Sequence, residues 1–218
     1  MKDEVYKKER RRVIFMRIVD LLNKDSILLG GHPKSKSEAI DMLCELQYES
    51  GNISDKEEYK KGILAREEKG STAVGEGIAI PHAKSEAVKA PSLAAMTVLE
   101  GVDYEALDDE PSNLLFMIAA PNDGDVHLEV LSRLMTILMD EDFRDRLIHA
   151  KNKAEFLRII DEMETDKFQD NQVQSDNSER ENRSDKSDSS AQAKQTVKAN
   201  GNYRVLAVTA CPTGIAHT

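Results

Sequence analysis

From about residue 16 the chain alternates between two hydrophobic periods. Two early stretches carry helical spacing with start and stop signals. "SKSEAIDMLCELQYESG" offers Ser35 and Glu38 as a capping box, sets Ala39, Ile40, Leu43 and Leu46 on one face, and stops at Gly51. "SDKEEYKKGILAREEKG" repeats the arrangement with Ser54 and Glu57, a face through Tyr59, Ile63 and Leu64, and an end at Gly70. The period then shortens. "GIAIPH", "PSLAAMTVLEG" and "SNLLFMIAAP" are short apolar runs bounded by glycine and proline, as buried or half-buried strands are. "VHLEVLSRLMTILMD" returns to helical spacing through Val130, Leu131, Leu134, Ile137 and Leu138. "DEDFRDRLIHA" and "NKAEFLRIIDEME" read as shorter helices. The pattern predicts an α/β fold, a sandwich of a small mixed β-sheet flanked by α-helices on both faces. The first strand is the least marked, because "LLGGHPKSKSE" is polar and glycine-rich.

The pattern stops near Asp166. Residues 166–203 are too poor in large apolar side chains to bury a core, and the composition predicts a flexible polar linker. "YRVLAVTACPTGIAHT" then begins abruptly as a β-branched strand that opens onto a Cys-Pro-Thr-Gly turn. A single strand does not fold alone. The expected organisation is an N-terminal extension at 1–15, a folded domain at 16–165, the linker at 166–203, and the truncated start of a second domain at 204–218.

Composition narrows the function classes. The 218 residues carry a formal net charge of −10 and are 39% hydrophobic. An acidic balance argues against a nucleic-acid binder and leaves protein partners open. Cys44 and Cys211 are far apart, without metal-type spacing, and point to a reducing, cytoplasmic setting. Cys44 falls beside the apolar face of its helix and reads as a buried small hydrophobe. No apolar run reaches the roughly 18–20 residues that span a bilayer. The short "VIFM" near the N-terminus does not make a signal peptide.

The candidate chemistry gathers around His82. Pro81 fixes φ, lacks a backbone donor, and so limits how the imidazole at the strand end is presented. Upstream, "REEKGSTAVGEG" supplies Arg66, the hydroxyls of Ser71 and Thr72, and Gly75 and Gly77 for close backbone approach. A cation, hydroxyl donors and exposed amides suit a tetrahedral dianion. His127 lies one turn into the helix after the last strand, where strand ends commonly build a site. A metal site lacks its further ligands here, with no H-E-x-x-H or C-x-x-C pattern, and a hydrolase lacks its G-x-S-x-G elbow. A phosphohistidine site needs one neutral ring nitrogen and donors for the incoming oxygens, and the residues fit it best. On spacing alone, a structural role for His82 stands level with it. His127 as an ordinary helix residue, Arg66 paired with neighbouring glutamates, and Ser71, Thr72, Gly75 and Gly77 as turn-formers are the corresponding plain readings.

"LAREEKGSTAVGEGIAIPHAK", "LFMIAAPNDGDVHLEVLSRL" and "LMDEDFRDRL" together resemble the enzyme IIA domains of the fructose–mannitol type, from the phosphoenolpyruvate-dependent sugar phosphotransferase system. The resemblance covers essentially residues 16–165. "VLAVTACPTGIAHT" independently resembles the start of a fructose-type IIB domain. The resemblance implies that His82 accepts a phosphoryl group from the phosphocarrier protein HPr. It implies that His127 orients or hydrogen-bonds that group, that Arg66 neutralises charge, and that Ser71 and Thr72 help bind the phosphate. Cys211 matches the IIB cysteine that receives the group next. No cofactor or metal is implied. The implied partners are HPr, the IIB domain and, indirectly, the membrane IIC domain of one permease, at the cytoplasmic face of the membrane. The rival implication is a nitrogen-type regulatory IIA that signals by phosphorylation-dependent protein binding; the IIB-like segment favours transport.

Overall fold

The structure, a computed structural model, describes residues 17–122 and 126–181, and of Val126 and residues 169–181 the backbone alone. The elements follow in the order α1 (Ile18–Leu21), β1 (Leu22–Leu28), α2 (Lys36–Glu49), α3 (Lys56–Glu67), β2 (Ala73–Gly75), β3 (Ile78–Ala79), β4 (His82–Lys84), β5 (Ser92–Val102), β6 (Ser112–Ala120), α4 (Val126–Leu138), α5 (Glu141–Ile148) and α6 (Lys153–Glu181). The strands form one six-stranded sheet in the order β1-β5-β6-β3-β2, with β4 also paired to β6. The sheet is mixed: β5 and β6 are antiparallel, whereas β1 pairs with β5, and β3 and β4 pair with β6, in parallel.

Strand β6 explains the sandwich. "SNLLFMIAA" is apolar at nearly every position, which a strand covered on both faces requires. Its alternate residues Leu115, Met117 and Ala119 pack under α2 and α3 with Ile40, Leu43, Tyr59 and Ile63. Leu114, Phe116 and Ile118 face the other way, against Val130 and Leu134 of α4, Phe143 of α5 and Phe156 of α6. The mixed sheet with helices on both faces is the architecture that the hydrophobic pattern predicts.

The differences are confined to single elements. Ser35 caps α2 as expected, its Oγ accepting from the Glu38 N–H at 3.3 Å, but the Glu38 carboxylate reaches back to the Lys34 N–H at 2.8 Å. Helix α3 begins one residue later than predicted. Asp55 is its cap, accepting from the Glu58 N–H at 3.0 Å, while the Ser54 hydroxyl donates to the Ala87 carbonyl at 2.9 Å. The carboxylate is free to turn onto the helix because the serine is held across the fold. Strand β1 lies just upstream of the glycine-rich segment rather than in it. Helix α6 runs to Glu181, past Asp166 where the composition predicts a linker; no glycine or proline between Lys153 and Glu181 interrupts helix propagation. The N-terminal extension, Cys211 and its strand lie outside the described residues.

Cys44 is buried, 1% exposed, with its Sγ 3.9 Å from the Met117 Sδ. Burial pushes the thiol up to about 12. A Cys211→Ser variant is therefore expected to give no reaction with a thiol reagent at pH 8 while folded, and one thiol per chain in denaturant.

Candidate active site

His82 is the first residue of β4, and the segment before it explains how the ring is held. Strands β3 and β4 run along β6 in the same direction, separated by Ile80 and Pro81. Proline donates nothing, but its carbonyl accepts the Ile118 N–H at 2.9 Å, so the ladder continues through it. The Ile80 N–H donates to the Thr72 carbonyl at 3.0 Å. The Ile80 carbonyl is thus left to receive the imidazole, with His82 Nδ1 at 2.8 Å. A carbonyl oxygen only accepts, so Nδ1 carries the proton and Nε2 the lone pair. The ring is half-buried.

Beneath it, the Tyr59 hydroxyl donates to the Ile118 carbonyl at 3.0 Å, on the residue opposite His82. Tyr59 is fully buried, and that burial pushes its phenol well above the usual range, so it stays a donor. No local pattern pairs Tyr59 with Ile118; the bond exists only because α3 crosses the sheet there.

His82 shares the sheet face of its partner Ile118, the face on which α4 packs against β4. His127, half-buried, is the second residue of α4. The two histidines thus occupy the same side of the sheet, at the end where β6 leads into α4. Arg66 comes from the other side. It lies in the last turn of α3, and its Nη1 donates to the Gly70 carbonyl at 3.0 Å. Because Thr72 lies beside Ile80 in an antiparallel sense, the Gly70–Ser71 turn runs toward the Pro81–His82 end of that edge.

Ser71 and Thr72 hold the turn that precedes β2. The Ser71 Oγ donates to the Tyr104 carbonyl at 2.7 Å. Thr72 is 5% exposed, and its hydroxyl donates to the carboxylate of Glu67, which also accepts the Thr72 N–H at 3.1 Å. Lys36 Nζ completes this buried hub, 3.0 Å from Glu67. Both hydroxyls brace the turn. Gly75 and Gly77 also lie away from the imidazole. With Glu76 they make the β2–β3 turn at φ of 89°, 51° and 76°, where a Cβ on Gly75 would meet Asp108 Oδ2 at 2.8 Å. Ile78 is opposite Leu114 and His82 opposite Ile118, so the turn is roughly 13 Å along β6 from the ring.

Residues 20–163 match the family model described as "Phosphoenolpyruvate-dependent sugar phosphotransferase system, EIIA 2". The chain belongs to this family. This EIIA chain is 41% identical over 206 residues to the fructose-specific EIIABC component of the phosphotransferase system from Bacillus subtilis (strain 168), a match covering 93% of this chain and 29% of that protein. It is 40% identical over 138 residues to the fructose-specific EIIA component from Haloferax volcanii, covering 63% of this chain and 90% of that one. The crystal structure of the nitrogen regulatory protein IIA-Ntr from Neisseria meningitidis superposes with a TM-score of 0.62 at 29% identity, covering 66% of this chain and 98% of that one. The EIIA chain therefore spans less than a third of its Bacillus relative and most of its Haloferax relative.

Proposed function

We propose that this chain is the phosphoryl carrier of a sugar-transporting phosphotransferase system. In this reading His82 takes a phosphoryl group from phospho-HPr and passes it to a IIB cysteine for uptake of a fructose-type sugar. The observation that carries the reading is the 2.8 Å hydrogen bond from His82 Nδ1 to the Ile80 carbonyl, which fixes the tautomer and leaves Nε2 as the nucleophile.

The chemistry then follows in balanced steps. The Nε2 lone pair attacks phosphorus as the bond between phosphorus and the donor breaks, and the donor leaves with that electron pair. Positive charge develops on the ring, and the Nδ1–H bond to the carbonyl stabilises it, as a second partner does for any working histidine. In the return step a cysteine thiolate attacks phosphorus, the P–N bond breaks, and its electron pair returns to Nε2. The transition state is loose, with charge spread over three equatorial oxygens, so catalysis rests on position and electrostatics. Arg66, at the open edge, and His127, at the start of α4, are the groups this reading assigns to those oxygens. The hydroxyls of Ser71 and Thr72 bond to the Tyr104 carbonyl and the Glu67 carboxylate and hold the turn beside them.

HPr as donor, Cys211 as acceptor and a cytoplasmic place beside the IIC domain belong to the same proposal. Their support is the motif pattern and the fructose-specific relatives. The nitrogen-regulatory structural neighbour supports a second reading, in which phosphorylation governs protein binding.

The test is to incubate the chain with phosphoenolpyruvate, enzyme I and HPr, follow intact mass at neutral and acid pH, and then add a fructose-type IIB domain. One acid-labile phosphoryl group that moves to IIB supports the carrier. Uptake without transfer to any sugar-specific IIB favours the regulatory reading, and no uptake by folded protein overturns both.

A further inference from the structure

Lys84 stands two residues beyond His82, the last residue of the run that ends "GIAIPHAK". The alternation of β4 places it. Ala83 belongs to the core under α2 and α3 with Ala79, Met117 and Ala119, so His82 and Lys84 share the opposite face. The ladder agrees. His82 is opposite Ile118, which packs with Val130 and Leu134 of α4, and Lys84 is opposite Ala120 on the same side. Both side chains are half-buried, and α4 packs onto β4 from that side. From behind, α3 presses against the strand: a Cβ on Gly62 would lie 3.3 Å from the Ala83 Cβ and 3.6 Å from the Lys84 carbonyl. The backbone that presents Lys84 is therefore held as firmly as the one that presents His82.

Same-face neighbours along a strand are roughly 7 Å apart, a distance that an extended lysine side chain spans. Resting on the reading of His82 as the carrier, we infer that Lys84 is a phosphoryl-binding residue whose ammonium neutralises an oxygen of the group on Nε2. It acts from the α4 side, whereas Arg66 approaches from α3 across the sheet. Charge on three equatorial oxygens needs partners on more than one side. A lysine suits this position, because its point charge and three rotatable donors follow the group as the P–N bond forms and breaks. It stays protonated throughout and exchanges no proton with the phosphoryl group.

The test measures single-turnover transfer from phospho-HPr to wild type, Lys84→Gln, Lys84→Met and Lys84→Arg over a range of donor concentrations. Lys84→Met keeps the apolar stem and so reads the charge alone. The limiting rate is expected to fall about 100- to 1,000-fold in the Gln and Met variants, as when one oxyanion donor is lost. The donor concentration at half the limiting rate stays within about twofold, and Lys84→Arg recovers most of the rate. Limiting rates equal to wild type in both neutral variants, with wild type phosphorylated on His82, overturn the inference alone. An effect confined to half-saturation also overturns it, by making Lys84 a docking residue. A folded wild type that takes no phosphoryl group on His82 overturns the carrier reading, and this inference with it.

Discussion

Replacing His82 with asparagine is expected to abolish phosphoryl uptake while leaving the fold and its thermal midpoint unchanged. The asparagine amide nitrogen falls near the position of Nδ1 and keeps a donor for the Ile80 carbonyl, which receives the imidazole at 2.8 Å. What disappears is Nε2. A glutamine sends its amide nitrogen toward the Nε2 position instead and gives up the short bond to Ile80. Both variants should show no mass gain with phosphoenolpyruvate, enzyme I and HPr, against one acid-labile phosphoryl group on wild type. The loss is effectively complete because an amide nitrogen has no available lone pair for attack. Residual uptake above a few per cent in the asparagine variant would place the acceptor elsewhere in the chain.

The largest expected effect on stability lies away from the imidazole, at Glu164. This carboxylate is 2% exposed and joins three elements. It accepts from Arg133 Nη2 of α4 at 3.0 Å and from the Val19 N–H of α1 at 3.3 Å, and Arg17 lies 4.0 Å away. The Arg133 guanidinium also lies 4.2 Å from the Phe168 ring centroid, so the same helix holds it by charge and by ring. Glu164→Ala leaves a mostly buried guanidinium without its counter-charge, at a cost of about 3 kcal/mol or somewhat more. For a chain of this size the thermal midpoint should fall by roughly 6–12 °C. Glu164→Gln keeps the acceptor and should lose less. Combining Glu164→Ala with Arg133→Met should recover part of the loss, because both halves of the buried pair are then gone. A single variant within about one degree of wild type would mean that the pair contributes nothing net. Since Arg133 anchors α4, the same bond steadies the helix that carries His127.

Much of this protein is determined by sequence at short range. The two capped helices, the unbroken apolar run of β6, the three-turn face of α4 and the Pro81–His82 junction each rest on spacing within a dozen residues. Such signals survive whatever the rest of the chain does. The run of motifs around "GEGIAIPHAK" was also legible, because its glycines, proline and histidine are tied to one local backbone path. That path alone does not say what each group faces.

Only the tertiary structure decided the partners. Ser54 reads as a helix cap until Ala87, far along the chain, takes its hydroxyl and leaves the task to Asp55. Ser71 and Thr72 read as phosphate donors or as turn-formers, and only the fold gives their hydroxyls Tyr104 and Glu67 as partners. Gly75 and Gly77 read as a cradle beside the imidazole until the strand register sets them four residues away along β6. Lys84 gains its place on the face of His82 only from the pairing of β4 with β6. The physical reason is common to all four. Periodicity and capping are properties of neighbouring residues. A hydroxyl or a cation is given its role by whichever distant group the folded sheet brings within about 3 Å.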